Sequence, residues 1–184
     1  MGTRDILIPL PPAVQTTTYD CGASCLRAVC KYFGVGSDNE NDYIDACNSD
    51  PDNGTKPPDL AAAARQMGLS VIARTNVSIK GLETALRAGI PVVCAIQAWG
   101  GGREYKRLES GHYVVAIGIR GNHVYFQDPY VSGSRGKMEK SEFLKRWRDS
   151  DSDGRIYRQL GIAMWLPGGP KGEGSGRMRA RRIK

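Results

Sequence analysis

The stretch Gln15-Thr-Thr-Thr-Tyr-Asp-Cys-Gly-Ala-Ser-Cys-Leu26 decides how the rest of the chain is read. A glutamine stands six residues ahead of a cysteine that opens an apolar, helix-like run. Asp20 is a candidate cap, and the run continues through about Phe33 to a stop at Gly34. Cys21, Cys25, Ala28, Val29 and Tyr32 fall on one apolar side, which Leu26, Cys30 and Phe33 widen. Ser24, Arg27 and Lys31 form a narrow polar stripe. A helix apolar around most of its girth is a central one, covered on several sides. Cys21 lies at its start, where unpaired N–H groups and the helix dipole favour a thiolate and Gly22 leaves the backbone open to a substrate. Cys25 and Cys30 lie further along and read as buried structural thiols.

Outward from this helix, the first half of the chain is helical. Further helices are expected over Glu40–Cys47, Asp59–Met67 and Ile79–Arg87, with Ser78 capping the last. The turn-rich segment from Asn48 to Lys56 separates the first two. The second half reads as strands: Leu69–Arg74, Pro91–Gln97, His112–Ile119, His123–Asp128 and Arg155–Leu166, with a short helix over Ser141–Trp147. Helices ahead of an antiparallel sheet indicate an α+β domain. Residues 1–14, with Pro9, Pro11 and Pro12, read as an extended arm, residues 15–167 as the domain, and residues 168–184 as a flexible basic tail.

A chain of 184 residues with 40% hydrophobic residues suits one domain with a substantial core. Its formal charge of +7 is concentrated at the end. Lys171–Lys184 holds six Lys or Arg against one Glu, so the preceding residues carry 20 basic and 18 acidic groups. A nearly neutral body argues against a nucleic-acid-binding domain. The tail reads either as a solubilising end or as a contact for an anionic partner. The N-terminus lacks the apolar run of a signal peptide and no segment approaches a membrane span, which makes the cytoplasm the default location. Five cysteines, an odd number, fit a reducing compartment better than a disulfide framework.

A thiol nucleophile needs a base, and the chain holds two histidines, His112 and His123. His112 follows Gly111 at the start of a long apolar strand, whereas His123 sits by the hairpin turn at the opposite end. His112 is thus the candidate partner of Cys21. Asp128 ends the returning strand and is the candidate acceptor that fixes the imidazole. A two-residue turn at Gly121-Asn122 with unbroken register would pair Asp128 with Val115 and point it away from His112. An odd loop or a bulge there would pair it with Val114 and bring both groups to one face. Such an irregularity is therefore expected. The Cys21 backbone N–H and the Gln15 side-chain amide are candidate donors to an oxyanion.

Gln-x5-Cys-Gly, then Gly-His-Tyr-Val-Val, then Asp-Pro after the next strand resembles the C39, or bacteriocin-processing, family of papain-like cysteine peptidases. The likeness extends over roughly residues 13–166 and includes Glu142–Trp147. It implies a papain-like fold and a Cys-His-Asp triad with an oxyanion glutamine, carried by Cys21, His112, Asp128 and Gln15. It also implies a peptide or protein substrate, with small residues before the cleaved bond where that substrate is a leader peptide. No cofactor or metal is implied. Without a Walker-type Gly-Lys-Ser/Thr signal, a free-standing cysteine endopeptidase is expected rather than part of an exporter. Other readings of the same residues are acyl or peptidyl transfer, deamidation, a non-catalytic peptide-binding module, and zinc held by Cys21, Cys25, His112 and Asp128. Against zinc, C-x3-C lacks the usual C-x2-C knuckle.

Overall fold

The computed structural model describes residues 5–131 and 135–169, and the backbone of 180–182. Its elements run β1 (Ile6–Leu7), α1 (Cys21–Phe33), α2 (Glu40–Ala46), α3 (Pro57–Gln66), β2 (Ser70–Arg74), α4 (Ile79–Arg87), β3 (Val92–Gln97), β4 (Gly111–Arg120), β5 (His123–Gln127), β6 (Arg135–Glu139), α5 (Lys140–Arg146), β7 (Arg148–Ser150), β8 (Ile156–Arg158), β9 (Gly161–Trp165) and β10 (Ala180–Arg182). This is the expected α+β arrangement of N-terminal helices packed on a largely antiparallel C-terminal sheet, ordered β10-β6-β5-β4-β3-β9-β2. The basic tail contributes β10, parallel to β6, and its other residues beyond Gly169 lie outside the described ones.

Helix α1 packs against β4, with Leu26, Ala28, Val29 and Cys30 sealed from solvent. Gly34, at φ 68°, ends it in a left-handed turn that a side chain would strain. The expected polar stripe is narrower than its sequence suggests, because Ser24 is buried beneath Asp20. The helix expected from Asp59 begins instead at Pro57, since an N–H in the first helical turn has no intrahelical acceptor and proline loses nothing by lacking it. The single strand expected over Arg155–Leu166 is divided at Gln159, whose φ is 48°. Its two halves pair differently, β8 with β7 and β9 with β3 and β2.

The hairpin decides the site. Gly121-Asn122 is a plain two-residue turn, with Arg120 opposite His123. The expected irregularity lies higher in β4: Tyr125 faces Gly118 and Phe126 faces Ala116, so Ile117 is an extra residue. β1 docks at the same place, with Leu7 opposite Gly118 and the Ile8 N–H donating to the Ile117 carbonyl at 2.7 Å. A Cβ on Gly118 would collide with the Ile6 carbonyl and with Leu7. Glycine thus admits β1 against the bulge. Gly118→Val is expected to cost about 1–3 kcal/mol, read as a lower urea midpoint, with lost peptide hydrolysis if the register slips.

Candidate active site

Asp20 stands at the head of α1 without capping it by its side chain. Its buried carboxylate turns back to accept from the N–H groups of Thr16 and Thr17 at 3.2 and 3.1 Å. The carboxylate therefore shapes the loop that carries Gln15 and leaves the first N–H groups of the helix without a side-chain acceptor. Cys21 is half-buried, and the other four cysteines are buried.

Beyond the bulge, Gln127 faces Val115, and continuing that register sets Asp128 opposite Val114, on the face of His112. The two side chains meet there. His112 Nε2 lies 2.7 Å from Asp128 Oδ1, with both residues 2% exposed. The same oxygen accepts from the Tyr130 N–H at 2.9 Å, which fixes the carboxylate. With Nε2 engaged by Asp128, Nδ1 is the nitrogen left for Cys21, which lines the same cleft as the imidazole. Burial alone would push the His112 pKa down. Asp128 and Cys21 outweigh it and hold the imidazolium up to about 9. His123, by contrast, sits at the turn end of β5, opposite Arg120.

The Gln15 N–H donates to the Pro129 carbonyl at 2.9 Å, tying the residue to the turn after Asp128. One N–H of its side-chain amide goes to the Thr17 carbonyl at 2.8 Å, so the second is its remaining donor. The structure thus brings Cys21, His112 and Asp128 together and places Gln15 beside them by its backbone.

A cleft of about 190 Å³ opens at Cys21 and His112 and is lined also by Thr55, Tyr113, Asp149 and Tyr157. Tyr113 donates its hydroxyl to the Thr55 carbonyl at 3.1 Å, and Lys56 reaches Asp153 at 2.9 Å, so the helical and sheet halves are strapped together here. A Cβ on Gly22 would lie 2.8 Å from Thr55, so glycine here lets the head of α1 pack directly on the Thr55 side chain.

Sequence reasoning missed Asp149 and Gln97. Gln97, fully buried, donates to Asp149 Oδ1 at 2.9 Å and accepts the Ser110 N–H at 2.9 Å, joining β7 to the approach to His112. Burial raises the Asp149 carboxyl to about 7 against the hydrogen bonds it accepts from the Ser150 N–H and Gln97 and against the nearby His112. A Cβ at Gly111 would sit 2.7 Å from both Asp149 carboxylate oxygens, a steric reason for glycine before the histidine. The signal available beforehand was that glycine, paired with a polar residue at the end of the otherwise apolar β3.

Comparison with known proteins agrees with this geometry. Residues 10–150 match the model of the Peptidase C39 family. A transport/processing ATP-binding protein for pediocin PA-1, PedD of Pediococcus acidilactici, is 26% identical over 133 residues, which is 72% of this chain and 17% of the relative. The chain thus spans about a sixth of that curated relative's length. Among solved structures, a C39-like peptidase from Bacillus anthracis superposes with a TM-score of 0.71 at 16% identity, covering 90% of this chain and 99% of the other. A double glycine motif protease from an AMS/PCAT transporter, solved with its leader peptide, gives 0.59 at 18% identity, covering 89% and 98%. The fold is shared with both, and a family match over most of its length means that the chain belongs to the Peptidase C39 family of cysteine peptidases.

Proposed function

We propose that residues 15–167 form an endopeptidase unit in which Cys21 attacks the carbonyl of a substrate peptide bond. The observation that carries this reading is the buried His112, bound to Asp128 at 2.7 Å and sharing its cleft with the Cys21 thiol at the head of α1. His112 takes the thiol proton and later delivers it to the departing amine, while Asp128 holds the ring and stabilises its charged form. The Cys21 N–H and the free N–H of the Gln15 amide donate to the oxyanion. The acyl group then sits on sulfur as a thioester until water, deprotonated by His112, releases it.

The leader peptide bound by the structural relative supports a leader-type substrate, with small residues before the cleaved bond. Five free cysteines support a reducing location such as the cytoplasm. Among the described residues no helix is long and apolar enough to cross a membrane. Residues 1–14 remain our arm, and the basic residues after Gly169 our candidate contact for an anionic partner.

Alkylation tests the central claim. Burial raises the pKa of Cys25 and Cys94 and takes Cys30 and Cys47 to about 12, so these four thiols stay protonated as well as shielded. Iodoacetamide at neutral pH, read by peptide mass spectrometry, is expected to label Cys21 at least tenfold faster than any of them, and more slowly in His112→Ala. Uniform labelling, or preference for another cysteine, sinks the assignment.

A further inference from the structure

Two aromatic rings stand by His112 outside the cleft that holds Thr55 and Asp149. Trp99, just past β3 and 38% exposed, has its ring centroid 5.1 Å from the imidazole. Tyr130, 63% exposed, meets Trp99 edge-on at 5.5 Å. Their backbones are fixed from behind. The buried Arg146 donates through Nη1 to the carbonyls of Trp99 and Gln97, at 3.1 and 3.0 Å, and through Nη2 to Gly100 at 2.7 Å. Glu142 holds its Nε at 2.6 Å. The Tyr130 N–H is committed to Asp128. Both backbones are therefore held, and the rings rest on each other and on the imidazole while much of their apolar surface faces solvent beside the reacting pair, a preorganised contact rather than core packing.

The chemistry selects what meets them. When the thioester forms, the C–Sγ bond replaces the peptide C–N bond, whose electron pair leaves on nitrogen. That nitrogen takes the proton from the His112 imidazolium. The residue carrying it must then lie against the imidazole, and Trp99 is the ring packed on that imidazole. The acyl half stays on Cys21 and faces the cleft.

We propose that Trp99 and Tyr130 form the subsite for the first residue after the scissile bond and select an apolar or aromatic side chain there. This rests on the peptidase reading above. Arg146 is the positioning residue that holds the subsite in place.

The test digests a library of proteome-derived peptides with the whole chain and reads cleavage sites by mass spectrometry, with Cys21→Ala as the blank. Apolar and aromatic residues are expected to be enriched several-fold at the first position after the cut. Trp99→Ala and, separately, Tyr130→Ala should lose that enrichment and keep the preferences before the cut. Tyr130→Ala alters the more exposed ring and keeps the question open if the tryptophan variant folds poorly. Cleavage with no enrichment at that position, or with an enrichment that survives in both variants, overturns the subsite and leaves the peptidase reading standing. A loss spread equally over positions before and after the cut overturns it too. No cleavage above the blank overturns the peptidase reading, and the subsite falls with it.

Discussion

Cys21→Ala is expected to lower peptide hydrolysis about 10⁴-fold or more, with the thermal midpoint little changed. The size follows from a mechanism in which every turnover passes through a bond to this sulfur, since no other group in the cleft combines a nucleophilic atom with a paired imidazole. The small structural effect follows from place: Cys21 is the least buried of the five thiols, at the first residue of α1 rather than inside it. Adding His112→Ala to the Cys21 variant should cost little more, because the base has nothing left to activate. Rates on a peptide from the library digest, with circular dichroism as the check on folding, measure both. Retention of a tenth of the wild-type rate in Cys21→Ala would rule out the thioester route.

The second large effect concerns Asp128. Asp128→Ala removes the acceptor of both the His112 ring and the Tyr130 N–H, and hydrolysis is expected to fall about 10²–10⁴-fold. Asp128→Asn should be much milder at neutral pH, because an amide oxygen can accept the same two hydrogen bonds. It lacks the charge that helps hold His112 at about 9. In the wild type kcat/KM is expected to fall on the alkaline side near that pH, as the ring loses the proton destined for the leaving amine. In Asp128→Asn this limb should move down by about 1–3 units. The same linkage acts on stability. The folded pKa exceeds the unfolded value of about 6.5, so the contribution of His112 is complete below that value and is lost as pH rises through about 9. An alkaline limb unmoved by the asparagine would show that Asp128 does not set the charge on His112.

The parts of the site that were legible in the sequence each had a local cause. Cys21 announces itself by opening a helix after a turn, His112 by following a glycine into an apolar strand, and Asp128 by closing the return strand before a proline. The need for an irregularity in the hairpin followed from the two-residue period of strands. Its position did not, because it depends on β1, from the far start of the chain, docking onto Gly118 with Leu7 opposite it. Arg146 reads as the charged side of an amphipathic helix, yet it is buried against three carbonyls that only the folded β3–β4 connection brings to it. Asp149 belongs to a three-residue strand with no apolar alternation to mark it, and its partner Gln97 is 52 residues away.

The extra residue in β4 has a consequence for how this hairpin tolerates change in length. His112 and Asp128 are 16 positions apart, and what matters about that interval is its parity. Lengthening the turn by two residues leaves every existing pair in place. Removing Ile117 itself closes the bulge and leaves Asp128 opposite Val114, whereas removing one residue elsewhere in the stem, with bulge and turn kept, rotates the acceptor to the opposite face. Relatives that keep the reaction should therefore change this hairpin's length by even numbers of residues, or lose the bulge and its single extra residue together.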